Sequence, residues 1–216
     1  MKWLDFLFLN NFECSKLILR CNILLNIDLT YFLPISIILH FVERPIKKCR
    51  TEQGWKSYTA SDDRSVELPS QIIDMLESSK FVPEPRSNFE TSFQNLNVGQ
   101  SITLLHLGQE PKHFAEGYQG RTLLVTNQMI DIWNELSADS VHSIKRVLSG
   151  PMGVGKSYIS YFLASKAYAE RWLMLYIADA VDLNVETSAK ASEVICRYFL
   201  ALNKDILTAT ELKLLV

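Results

Sequence analysis

At 216 residues, with 48% hydrophobic side chains and a formal net charge of −2, the chain has the makeup of an ordinary globular protein and is too apolar for a disordered one. Residues 1–100 and 101–216 each carry 11 Lys and Arg against 12 Asp and Glu, so there is no global basic field of the kind nucleic-acid binding uses. Cys14, Cys21, Cys49 and Cys196 match neither a zinc spacing nor a dense disulfide framework, and read as separate reduced thiols of an intracellular (cytoplasmic or nuclear) setting.

Residues 1–42 form an apolar N-terminal segment. Hydropathy over 22–42, with Arg44, Lys47, Lys48 and Arg50 just beyond, suggests a membrane span. The period argues against one. Ile23, Leu25, Ile27, Leu29, Tyr31, Leu33, Ile35, Ile37, Leu39 and Phe41 fill the odd positions, which is a strand signature, and Pro34 breaks it into two strands. Asp28 inside a span would cost about 2.5–3.5 kcal/mol. The run 3–9 is interrupted by Asp5 and lacks a small-residue cleavage site, so it is a weak secretory signal. The Leu/Ile/Asn/Phe-rich opening also fits a segment outside the functional domain.

Residues 43–100 are polar and hold Pro45, Pro69, Pro83 and Pro85. They read mostly as linker, with one short amphipathic helix at 71–78. Lys47-Lys48-Cys49-Arg50 fits either a nuclear import signal or solvated surface.

The module expected to carry function spans 101–216. Segments 101–107 and 121–126 read as strands, and 128–136 as a helix burying Ile132 and Trp133. Asn127–Asp131 resembles the guanine-reading N-K-x-D motif, but it lacks the Lys and precedes the loop described next. The histidines, His40, His106, His113 and His142, are scattered without metal spacing.

Residues 150–157, Gly-Pro-Met-Gly-Val-Gly-Lys-Ser, match the phosphate-binding pattern G-x-x-x-x-G-K-[ST] in full. A chance match in a chain this long arises in about one sequence in a hundred. A triphosphate needs many donors in a small concave volume, and successive backbone N–H groups supply them when the chain wraps tightly. Gly150, Gly153 and Gly155 permit that wrapping because they lack a Cβ. Pro151 stiffens the turn, and Met152 and Val154 complete it. Lys156 is expected between the β- and γ-phosphates, and Ser157 on Mg²⁺. The helix that follows turns its positive end to the same anion.

Downstream, 157–170 reads as a helix apolar over a wide arc, 172–178 as a buried parallel strand, and 186–202 and 208–216 as helices. Asp179, with Asp182 near it, ends the sole apolar run after the loop that finishes in Asp, and is therefore the candidate Mg²⁺-side acid. Only 59 residues (158–216) follow Ser157, too few for a full nucleotide-hydrolysing sheet. The expected fold is α/β: a partial P-loop NTPase-like parallel sheet with flanking helices, behind the apolar segment and linker.

The stretch Arg146-Val-Leu-Ser-Gly-Pro-Met-Gly-Val-Gly-Lys-Ser157, with 121–126 and Trp133 upstream, resembles the P-loop region of the Crinkler and retrotransposon-hot-spot group over about residues 100–200. The resemblance implies an ATPase module with ATP and Mg²⁺ as cofactors, joined in fuller relatives to a nuclease-like domain. It further implies an effector delivered into a host cell, often to its nucleus. No L-x-L-F-L-A-K-type translocation motif stands near the start, where Phe6-Leu7-Phe8-Leu9 is a faint echo. No nuclease-like segment follows the loop, so the chain is expected to be a short or truncated member. The alternative is a non-catalytic effector or interaction protein that retains a degenerate NTPase fold.

Overall fold

The computed structural model describes residues 7–9 (backbone only), 54–111, 114, 120–138, 148–149, 151 and 155–216. The chain divides into two compact units, residues 1–10 with 78–203 and residues 11–77 with 204–216. The alternating stretch 22–42 lies outside the described residues, as does the basic cluster 47–50.

The second unit is built on a hairpin. Strands β2 (Trp55–Thr59) and β3 (Ser65–Pro69) pair antiparallel with Tyr58 opposite Val66 and Lys56 opposite Leu68. Val66 and Leu68, two apart in Ser-Val-Glu-Leu-Pro, turn to one face and are buried. The turn between the strands closes through the Ala60 N–H to Arg64 O (2.9 Å), with Asp63 left-handed. Helix α1 (Ser70–Leu76) follows Pro69 directly and buries Ile73 and Leu76. The C-terminal helix α6 (Ala209–Lys213) starts at a capping box in which Thr208 and Glu211 satisfy each other's orphan donors. Ser61 Oγ donates to Leu207 O at 2.7 Å, and Asp62 Oδ1 accepts from the Ala209 N–H at 3.2 Å.

The first unit carries the largest core. In chain order it holds β1 (Leu7–Leu9), α2 (Arg86–Phe93), β4 (Ser101–Thr103), β5 (Thr122–Leu124), α3 (Asn127–Ala138), α4 (Lys156–Ala169), β6 (Leu173–Leu175), a 3₁₀ turn (Ala180–Leu183) and α5 (Ser188–Asn203). Helix α4 is its axis. Residues from Ile159 to Leu163, and Ala164, Ala167 and Tyr168, are buried all round it, as expected for a helix with no solvent face. Phe89 and Phe93, one turn apart on α2, meet Tyr168 and Phe162 at ring separations of 4.8 and 5.5 Å. Trp133 of α3 meets Trp172 at 4.9 Å. Each fully buried Phe or Leu of this kind contributes about 1.5–3 kcal/mol.

Two helix ends share one cation. Arg86 is buried, with its guanidinium carbon 3.7 Å from the centroid of the Tyr168 ring. It donates to the carbonyls of Tyr168 and Leu202, the last turns of α4 and α5. Both carbonyls sit at the negative ends of their helices, so a buried Arg is stabilised there.

The architecture is therefore mixed α/β, with three two-stranded sheets: β1·β6, β2·β3 and β4·β5. All three are antiparallel, and no parallel pair is present among the described residues. Segment 172–178 was expected in a parallel sheet; its strand core pairs antiparallel with Leu7–Leu9 instead. Between 54 and 93, within the stretch read as mostly linker, lie the helix expected at 71–78, here Ser70–Leu76, and besides it a hairpin and a second helix. The expected strands at 101–107 and 121–126 are shorter ladders, and the helices expected at 128–136, 157–170 and 186–202 run a residue or two differently. Among the described residues no helix is long and apolar enough to cross a membrane.

Candidate functional site

Of the eight loop residues, Gly150, Met152, Gly153 and Val154 lie outside the described residues, while Pro151, Gly155, Lys156 and Ser157 lie within them. Gly155 is the N-cap of α4 with φ 81° and ψ 13°, a left-handed conformation that favours glycine. Among the described residues, a Cβ built there would meet nothing within 4 Å. Gly155 O accepts from both the Tyr158 and Ile159 N–H groups at 3.0 Å. No described side chain caps this end of the helix, so its positive end carries no counter-charge from a cap. Lys156 reaches back along the chain, where its Nζ donates to Pro151 O at 2.7 Å. Ser157 is half-buried in the first turn.

The first turn of α4 is tied to its surroundings by the next residue. Tyr158 donates its hydroxyl to Gly120 O at 2.8 Å and stacks on Phe114 at 4.7 Å. One turn on, the Tyr161 hydroxyl accepts from the Leu107 N–H (2.8 Å) and donates to Leu105 O (2.9 Å). Burial, above all, pushes the Tyr161 phenol well above its usual range, and the Glu110 carboxylate adds to the rise.

At its far end α4 reverses sharply. Arg171 is left-handed (φ 60°), and the Trp172 N–H reaches Ala167 O while the Arg171 N–H reaches Tyr168 O, the paired bonds of a Schellman turn. The chain then runs back along the helix as β6 and its extension. Tyr161 and Tyr176 meet edge to face at 5.9 Å, which sets the two elements level at that point.

Asp179 caps the 3₁₀ turn that ends this strand: its Oδ1 accepts from the Val181 N–H at 3.0 Å. Asp182, within the turn, accepts from the hydroxyl of Tyr198 at 2.6 Å through Oδ2. Burial and that hydrogen bond both push the Tyr198 phenol up, and the charges of Asp182 and Asp179 push the same way. Among the described residues no group of three or more His, Cys, Asp or Glu side chains is placed to hold a metal ion.

Two side chains that sequence reasoning passed over define this strand end. Gln109 is buried; its Nε2 donates to Tyr176 O at 2.9 Å, and its Oε1 accepts from the Ala178 N–H at 3.4 Å. Tyr198 is the other. Neither falls in a spacing motif, and a single Gln in a loop gives no periodic signal. The adjoining surface holds an ionic cluster in which Glu110 pairs with Arg121 and lies 3.7 Å from His106 Nε2.

No protein-family model matches this chain, and no curated protein or solved structure proves similar to it.

Proposed function

We propose that the chain binds a nucleoside triphosphate, ATP in the first instance, with Mg²⁺, on the loop from Gly150 to Ser157, as a Crinkler-like P-loop module. The observation that carries this reading is the closure of the loop. Gly155 turns left-handed at a helix start without a side-chain cap, and Lys156 reaches back to Pro151 O. A lysine held on a backbone carbonyl at hydrogen-bond distance can exchange that acceptor for phosphate oxygen without crossing the molecule. The donor types suit Mg²⁺ as well: the Ser157 hydroxyl and the Asp179 carboxylate are hard oxygen ligands, and Mg²⁺ keeps several waters while bridging phosphates.

In this reading the chain's own residues bind and orient. Lys156 and the amides at the start of α4 would hold the phosphate oxygens, and Ser157 and Asp179 would hold the metal. Bound Mg²⁺ would supply charge neutralisation at the phosphates. Hydrolysis is the fuller form of the proposal. The resemblance carries with it action inside a host cell, in its nucleus in particular.

A non-hydrolysing effector or interaction protein is the second reading, and two observations favour it. Every described strand pair is antiparallel, and one Asp179 oxygen is already engaged in capping its own turn. Such a chain would use nucleotide only to stabilise its fold.

Thermal melting with and without Mg-ATP tests the binding claim. Ligand at about 100 times its dissociation constant adds about 2.7 kcal/mol of stability, and Lys156→Ala should abolish that gain. A wild-type protein whose melting does not respond to Mg-ATP sinks it. Phosphate release compared between wild type and Asp179→Asn then separates hydrolysis from passive binding.

A further inference from the structure

We infer that Gln109 is a positioning residue for the metal-side acid, acting through the backbone that carries Asp179; this rests on the nucleotide-binding reading above. In an extended chain, residues two apart turn their N–H and C=O groups to the same side. Met174, Tyr176 and Ala178 thus share one edge. Asn203 occupies it at Met174, and Gln109 occupies it at Tyr176 and Ala178. The carboxamide of Gln109 stands where the next strand of a sheet would stand, and its two bonds end one residue short of Asp179.

That placement has a consequence for the site. Among the described residues regular strand pairing stops at Leu175, so no described ladder fixes the three residues that lead to Asp179. Gln109 is buried and contacts main chain at both ends of that gap. Its own segment is anchored to α4, because Tyr161 holds Leu105 O and the Leu107 N–H. The same helix begins at Lys156 and Ser157. Gln109 is thereby the link through which the helix bearing the phosphate loop sets the position of the acid. Groups that orient a metal ligand without touching the metal typically cost about 10–100-fold in metal affinity when removed.

The test uses the full chain and two probes, ATP in EDTA and ATP with Mg²⁺, with equilibrium affinity as the readout. Gln109→Leu should leave the affinity for ATP in EDTA within about twofold of wild type, while the tightening that Mg²⁺ produces shrinks by about tenfold. Asp179→Asn should show the same pattern. Gln109→Asn, which keeps the carboxamide but is one methylene short, decides the matter if the leucine variant does not fold. Mg²⁺ tightening that survives in the folded Gln109 variant overturns the inference, and so does an equal loss with and without Mg²⁺, which marks a purely structural role. A wild-type protein that binds ATP in neither condition overturns the nucleotide reading and this inference with it.

Discussion

Asn203 grips Met174 by both halves of its main chain: Nδ2 donates to Met174 O at 2.7 Å, and Oδ1 accepts from the Met174 N–H at 3.0 Å. The second Nδ2 hydrogen reaches Phe199 O at 2.6 Å, and the side chain is fully buried. A helix end thus serves as the neighbouring strand of β6. With Leu7–Leu9 on the other side, both edges of that strand are occupied, and a parallel neighbour has no open edge to join at Met174.

Replacing Asn203 by Leu leaves the Met174 N–H and C=O buried without partners, each costing about 1–3 kcal/mol. The expected loss in urea unfolding is about 2–4 kcal/mol. Asn203→Asp is expected to be pH-dependent. A carboxyl must keep its proton to donate to Met174 O, so its folded pKa is raised above the unfolded value of about 3.9. Its stability contribution is then present below that value and is lost as pH rises through the raised folded pKa. The gap between variant and wild type should widen from acid to neutral pH, and a gap independent of pH contradicts the pairing.

Gly108 is fixed by a contact rather than by its turn alone. It sits at φ 81°, and an added Cβ would lie 1.9 Å from Phe81 O and 2.4 Å from Phe81 C. The clash is with backbone, which cannot swing aside, and the Phe81 ring is itself lodged against Tyr198 at 4.7 Å. Gly108→Ala should therefore cost more than about 3 kcal/mol. Gly99→Ala is the matched control: its φ is 85° but its Cβ would meet no described residue within 4 Å, so only about 1 kcal/mol of left-handed strain is expected. Equal losses in the two variants, measured by denaturant unfolding, contradict this account.

These relationships mark where sequence reasoning stops. The near-continuous apolar run 172–178 was legible as a buried extended segment, because Trp172, Met174, Tyr176 and Ala178 pack into the core. Its partners were not. One is a strand about 165 residues away in sequence, and the others are single side-chain amides, which leave no period behind. The helices around Trp133 and Phe162 were legible from their apolar spacing. The hairpin at 55–69 was hidden by the exposed residues of its first strand, Trp55 among them. At the loop, the glycine pattern pointed to a left-handed residue, and Gly155 adopts one. Gln109 and Tyr198 were invisible because their roles depend on tertiary neighbours alone.

Three buried phenols give the protein an alkaline limit. Tyr161, Tyr176 and Tyr198 all have their pKa raised, with burial the first cause in each case. A raised folded pKa means that the stability these groups contribute is whole below the unfolded value of about 10 and is lost as pH rises beyond it. Phenolate absorbance should rise in two phases, the exposed tyrosines first and these three only as the far-ultraviolet circular dichroism collapses. A single phase centred near pH 10 with the fold intact would contradict the burial of those hydroxyls.

Arg171 offers a change in the opposite direction. It closes the Schellman turn at φ 60°, where a side chain costs about 1–2 kcal/mol and glycine almost nothing. Its guanidinium reaches Glu90 at 3.5 Å, with both groups largely exposed, and such a pair is worth little. Arg171→Gly is therefore expected to stabilise the chain by about 0.5–1 kcal/mol, after the added freedom of the unfolded state offsets part of the gain. Arg171→Val should destabilise it, since a β-branched residue tolerates that conformation worst. The order Gly above Arg above Val in melting temperature would place the strain in the backbone of the reversal; Arg above Gly would mean that the ion pair with Glu90, not the turn, governs how the chain folds back toward Asp179.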